Sequence, residues 1–314
     1  MEVSQNLNNT YSLKDNSPKE KSSKTNIKAA ALGTIGGLAG GSIAQNVCAL
    51  SAAGVVAATS KLGNLPQDTI DIIHAASEKA LELGEVKNKG VSIEWLKQSG
   101  KKLNLFEKFK IISNPARIQE AIQEGLNAGY ARNNKIYMPE NKVSFLAFHE
   151  IGHSINFNNS KFWKGMQKLR MPALALASLP MIYGAISKES KAEDGKELNK
   201  KQKINNFIRN NAGKLSFATM LPVLAEEGMA TIRGQKLANQ LLPKNIARKV
   251  LKGNAVAYTS YLITALGFAA AAYTAVKVKD AFVNKRDAQK VEEQQNQQVQ
   301  EQLSKNDDSK TKNV

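Results

Sequence analysis

Phe145-Leu-Ala-Phe-His149-Glu150-Ile-Gly-His153 is the stretch that decides how this chain reads. Residues four apart share one face of a helix, so His149 and His153 can reach a single metal ion. Glu150 follows the first histidine directly and lies beside the open metal position. There it can take a proton from a water whose pKa the ion lowers to ~7. The surrounding residues suit a helix from Lys142 to about Asn158. Leu146, Phe148, Ile151 and Ile155 supply a buried side, and no proline interrupts residues 142–158. Of the three histidines in the chain, two sit in this motif. The third, His74, lies on a separate amphipathic segment and reads as a surface or core side chain.

A hydrolytic zinc takes three protein ligands and keeps one position open. With His74 ahead of the motif, the third ligand is expected among the carboxylates downstream. Glu189, Glu193, Asp194 and Glu197 lie in a lysine-rich polar segment and read as solvated. Glu226 and Glu227 differ, because they interrupt the otherwise apolar run Leu215–Ile232. A buried, unpaired carboxylate costs several kcal/mol, so such a group calls for a cation or a metal. Spacing alone does not choose between the two glutamates.

On these residues the chain resembles the membrane-embedded gluzincins, which include the HtpX-like heat-shock proteases, the Oma-type mitochondrial proteases and the prenyl-protein (CAAX) endopeptidases. The resemblance covers residues 126–235, about a third of the chain. It rests on Asn127-Ala128, Ile136-Tyr137-Met138, the His149–His153 motif and Glu227-Gly-Met-Ala230. In these families the third ligand opens a Glu-x-x-Ala-Asp pattern on a later helix. The resemblance therefore implies Glu227 as ligand, with Ala230 at the alanine position. Thr231 stands where the families carry an aspartate that orients a ligand histidine; its hydroxyl offers one hydrogen bond but no charge. The resemblance also implies that the strand-like run Asn134–Pro139 pairs with the substrate backbone. Arg233 and Tyr130 are the candidates for stabilising an oxyanion.

Outward from the motif, the chain divides by composition. Residues 1–28 are a polar Asn/Ser/Lys-rich N-terminus, read as disordered. They do not read as a secretory leader. Residues 29–59 are uncharged and rich in Gly and Ala, long enough for a membrane segment or hairpin. Gly33, Gly37 and Gly41 share a helix face there, and that face at residues 33–41 offers a homo-oligomer contact. Residues 60–254 hold the catalytic region with inserted apolar helices. It opens with an amphipathic helix over residues 66–83 and continues through short helices over 91–126. Residues 255–278 form the transmembrane helix, and 279–314 a polar Gln/Lys-rich tail or frayed helix.

Lysine and arginine exceed aspartate and glutamate by 44 to 27, a net charge of +17. Such an excess suits anionic lipid or acidic partners. The basic residues are scattered and no nucleic-acid-binding pattern appears, so nucleic acid is not an expected partner. A single cysteine, Cys48, excludes an intramolecular disulfide framework and points to a reducing compartment or a membrane.

The fold class expected is mostly α, with a small α+β zincin-type catalytic core and several apolar, membrane-associated helices. The expected function is a zinc-dependent membrane endopeptidase acting on a protein or peptide. It binds one Zn2+ per chain through His149, His153 and Glu227, with Glu150 as general base. The expected location is an integral, multi-pass membrane protein with its core on the cytoplasmic side. The rivals are a catalytically silent zinc-binding membrane scaffold and a peripheral protein docked on anionic lipid.

Overall fold

The computed structural model describes residues 65–100, 117–126, 129–132, 134–141, 143–192 and 196–311, the last eleven through their backbone alone. The readings of residues 1–28 and 29–59, the glycine face at 33–41 and Asn127-Ala128 lie outside the described residues. The described chain is mostly helical with one small sheet.

Helix α1 (Gln67–Leu83) buries Ile70, Ile73, Ala76 and Ala80, the helical spacing expected of an amphipathic segment. The short helices expected over 91–126 give way in part to a strand. β1 (Ser92–Leu96) comes first, and only α2 (Ile118–Gln123) is helical among the described residues of that stretch. Five residues with two-residue alternation are too few to stand out from their neighbours.

β2 (Tyr130–Arg132) and β3 (Lys135–Pro139) complete a three-stranded sheet in the order β1-β3-β2. β1 is parallel to β3, and β2 is antiparallel to it. Ile136 and Met138 turn into the core shared with α1, while Tyr137 packs with α2. β3 is therefore the central strand, paired on both sides. This corrects the expectation that Asn134–Pro139 offers a free edge to substrate; among the described strands the edges are β1 and β2. Strand pairing is a long-range property that the local sequence does not carry.

The helix carrying the histidine motif starts later than expected. Val143 adopts a left-handed conformation, a short 3-10 turn covers Ser144–Leu146, and α3 runs Ala147–Asn159. α4 (Lys161–Lys168) follows, capped by the Ser160 hydroxyl accepting from the Trp163 amide. α5 (Arg170–Ile186) carries the uncharged run, with Pro180 inside it. α6 (Lys200–Asn210) begins at a capping box made by Asn199 and Gln202. The run expected over 215–232 breaks at Met220 into α7 (Ala212–Thr219) and α8 (Leu221–Leu241), with Pro222 opening the second helix. α9 (Lys244–Thr311) is one helix of 68 residues, so the described part of the expected tail is helical.

Among the described residues, α9 is the single helix long and apolar enough to cross a membrane, over Lys244–Gln300. α4 and α5 meet the same measure only as a pair bent by 47°.

Two larger packing units result, beside smaller clusters around Ile122 and around Ala272. α1, α3, α8, the start of α9 and one face of the sheet enclose the larger core, centred on Ile73, Phe145, Phe148, Ile136 and Ile151. α5, α7, the start of α8 and the middle of α9 enclose the second, around Ala177, Met220, Val223 and Ala265.

α3 and α8 cross at backbone contact. A Cβ on Gly152 would lie 2.0 Å from the Ala230 carbonyl oxygen, and one on Gly234 would lie 2.1 Å from that of Phe148. Gly152→Ala or Gly234→Ala must therefore push the helices apart, at a cost of about 1–3 kcal/mol. Either change lowers the thermal midpoint, whereas Gly165→Ala, with nothing within 4 Å of its Cβ position, does not. Thermal unfolding of the three variants side by side checks this.

Candidate metal centre

The α3–α8 crossing sets His149 and His153 against Glu226 and Glu227. All four are buried, Glu227 completely. The Nε2 atoms of the two histidines are 3.0 Å apart. Glu227 Oε2 lies 3.2 Å from His149 Nε2 and 3.3 Å from His153 Nε2. An ion held tetrahedrally at 2.0–2.2 Å by three donors spaces them about 3.3 Å apart, so this triangle has the size a zinc-like ion requires. His149, His153 and Glu227 form the group able to hold a metal ion among the described residues.

The outer nitrogens decide what the inner ones present. His153 Nδ1 lies 2.8 Å from Glu226 Oε1, and an ionised carboxylate only accepts, so Nδ1 carries the proton and Nε2 a lone pair. His149 Nδ1 lies 3.1 Å from Thr231 Oγ1. With Nδ1–H donating to that hydroxyl, His149 also turns a lone pair inward. Glu227 Oε2 is buried without a hydrogen-bond partner. Three electron-rich atoms therefore converge where nothing in the protein donates to the carboxylate oxygen, the arrangement of an ion-binding site. The residues present fit a divalent metal.

The two glutamates that spacing left equivalent have different surroundings. Glu227 points at the ligand nitrogens. Glu226 instead accepts from His153 and from Asn156 Nδ2 at 3.0 Å, and Arg170 donates to its other oxygen at 3.1 Å. Arg170 also donates to Glu227 Oε1. Thr231 orients His149 as the resemblance allows, and Glu226 supplies a charged partner to the other histidine. Arg170 and Asn156 join the site without standing in any motif. Arg170 was legible only as the last charge before the uncharged run 171–187.

Glu150 is 9% exposed on α3. Its side chain abuts the backbone just before β2, where a Cβ on Gly129 would meet Glu150 Oε1 at 3.1 Å. A cleft of about 180 Å³ runs past His153, lined by Ala131 and Asn134 of the β2–β3 hairpin, Ser154, Phe157 and Asn158 of α3, and Gln167 of α4. His74 stands apart, stacked on Trp95 with ring centroids 3.6 Å apart. Among the described contacts Arg170, rather than Arg233, reaches the carboxylates of Glu226 and Glu227; Tyr130 begins β2. Glu197 is exposed and pairs with Lys203, as expected of a solvated segment.

No protein-family model, curated protein or solved structure matches this chain.

Burial first, and the neighbouring His153 ring second, hold His149 down to about 4 from its usual 6.5. The unfolded chain thus binds a proton at this site between those values and the folded chain does not. Stability contributed by the neutral ring is present above pH 6.5 and is lost as pH falls toward 4, on the order of 3 kcal/mol in all. Thermal midpoints of metal-free protein measured across this window fall with pH in wild type, and the fall is shallower in His149→Gln.

Proposed function

We propose that this chain is a zinc-dependent membrane endopeptidase of the gluzincin type. The observation that carries the reading is the convergence of His149 Nε2, His153 Nε2 and the otherwise unpartnered Glu227 Oε2, with Glu150 on the same helix turn. A zinc ion bound there supplies Lewis acidity, polarising a peptide carbonyl and acidifying a water. Glu150 takes the proton from the attacking water and passes it to the departing amine. Glu226 and Thr231 fix the histidine tautomers from behind, and Arg170 holds the far oxygen of Glu227. The outer edge of β2, which no described strand pairs, lies beside Glu150 and the cleft at His153 and receives the substrate backbone as an added strand.

The membrane part of the proposal is supported by α9 and by the outward apolar face of α5, where Met171, Leu176, Leu179, Ile182 and Ile186 are exposed. An integral, multi-pass arrangement accommodates them.

One rival shares the metal: a zinc-binding scaffold without turnover. Arg170 favours it to the extent that it already offsets part of the carboxylate charge. Elemental mass spectrometry on purified protein is expected to give about one zinc per chain, lost in Glu227→Ala. Glu150→Gln is expected to keep the zinc and lose hydrolysis of a general substrate such as labelled casein by at least about 100-fold. Zinc without turnover in wild type would establish the scaffold, and wild type without zinc would end both readings.

A further inference from the structure

Two layers of charge bracket the apolar helices. At the metal end Arg170 pairs with Glu226 and Glu227 and lies 5.7 Å from the centre of the Tyr261 ring. At the far end Arg209 donates to the Ser187 carbonyl and to Asp280, beside buried Lys279. Three stretches join these layers: Arg170 to Ser187, Arg209 back to Glu226, and Tyr261 to Asp280. Arg170 to Ser187 and Tyr261 to Asp280 run as single helices of about 25–29 Å, while Arg209 to Glu226 is broken at Asn211 and Met220 between α6, α7 and α8. The hydrocarbon core of a bilayer is ~30 Å thick. The charges inside them, Lys214 and Lys277, stand within five residues of the far layer, close enough for long side chains to reach a headgroup region.

α4 enters at the metal end. It precedes α5 directly and bends away from it by 47°. Around its axis Lys161, Lys164 and Lys168 occupy one arc, and Phe162 and Met166 the opposite one. Phe162 is 64% exposed, while Met166 beside it is partly buried. A short helix with a lysine rim and an exposed aromatic has the makeup of one lying in an anionic lipid interface. Gln167 of the same helix lines the cleft at His153. One helix is thus both wall of the cleft and candidate lipid contact.

We infer that α4 lies among the headgroups of an anionic leaflet, above the apolar helices α5 and α9, so that the metal cleft opens at the membrane surface. The polypeptide presented to it is then the segment emerging from the bilayer rather than a distant soluble loop. This inference rests on the membrane endopeptidase reading and commits to lipid as the occupant of the Phe162 face.

Trp163 lies on α4, and the chain's other tryptophan is Trp95. The full chain carrying Trp95→Phe is reconstituted into phosphatidylcholine vesicles, with or without about 30% phosphatidylglycerol. The acyl chains carry bromine at a shallow or a deep position. Shallow bromines are expected to quench Trp163 at least about twofold more than deep ones, and more strongly with the anionic lipid. Unquenched Trp163 in vesicles that retain the protein through carbonate would overturn the placement of α4 while leaving the membrane reading standing. Release of the protein by carbonate would overturn that reading itself. Equal quenching in neutral vesicles would remove the anionic lipid. Should Trp95→Phe fail to fold, a spin label at Phe162→Cys in a Cys48→Ser chain gives the same depth by its accessibility to oxygen against a nickel chelate. Greater accessibility to oxygen supports the placement, and full exposure to the chelate in vesicle-retained protein overturns it.

Discussion

The arrangement depends on one contact, the crossing of α3 and α8 at Gly152, Ala230, Phe148 and Gly234. Side chains normally hold helix axes 8–10 Å apart. Here two positions carry only hydrogen where a Cβ would stand about 2 Å from a carbonyl oxygen of the other helix. The close approach brings short side chains from two helices into one cluster. His149 and His153 reach Glu227 with donor atoms 3.0–3.3 Å apart. A wider crossing would leave two imidazoles on one helix and a carboxylate on another without a common centre. The same contact lets Thr231 and Glu226 stand behind the two rings, fixing which nitrogen faces inward.

How much of this was legible follows from how local each feature is. The histidine pair and Glu150 depend on one helical turn, and the sequence states them outright. α1 was legible for the same reason, from Ile70, Ile73, Ala76 and Ala80. The choice between Glu226 and Glu227 was not, because adjacent residues point about 100° apart on a helix and the crossing decides which faces inward. The resemblance implied Glu227, and the geometry gives Glu226 different work, holding His153 and taking bonds from Asn156 and Arg170. The edge strand was misplaced because β3 gains both its partners from outside its own segment. The crossing has a signal in the sequence of α8: Ala230 and Gly234, small residues four apart, lie against Gly152 and Phe148 of α3 respectively.

Arg170 joins the two packing units. It begins α5, lies near Tyr261 of α9 and pairs with both glutamates of α8. A cation at that position anchors the carboxylates, and it also fixes the height at which the apolar helices meet the site. Leu224 and Val223, one turn before Glu227, already belong to the apolar core with Ala177 and Ala265. The step from hydrophobic bundle to ionic cluster thus takes place within a single turn of α8. The chemistry of the site and the apolar bundle share residues and cannot vary independently.

The charges gathered at that turn argue for what the cluster accommodates. Glu150, Glu226 and Glu227 are 9%, 1% and 0% exposed, and together they bring three formal negative charges. Arg170 brings one positive charge, and His149 is held toward its neutral form by burial. Uncompensated charge in such a place costs several kcal/mol per ion, far more than a protein surface would exact. Protonating His149 would lessen the imbalance, yet burial drives that ring toward its neutral form. Hydrogen bonds from Asn156 relieve Glu226 alone and leave Glu227 Oε2 without a donor. A divalent ion at the meeting point of the two Nε2 atoms and Glu227 Oε2 would offset two of these carboxylate charges. Its natural ligand distances match the spacing the α3–α8 crossing imposes.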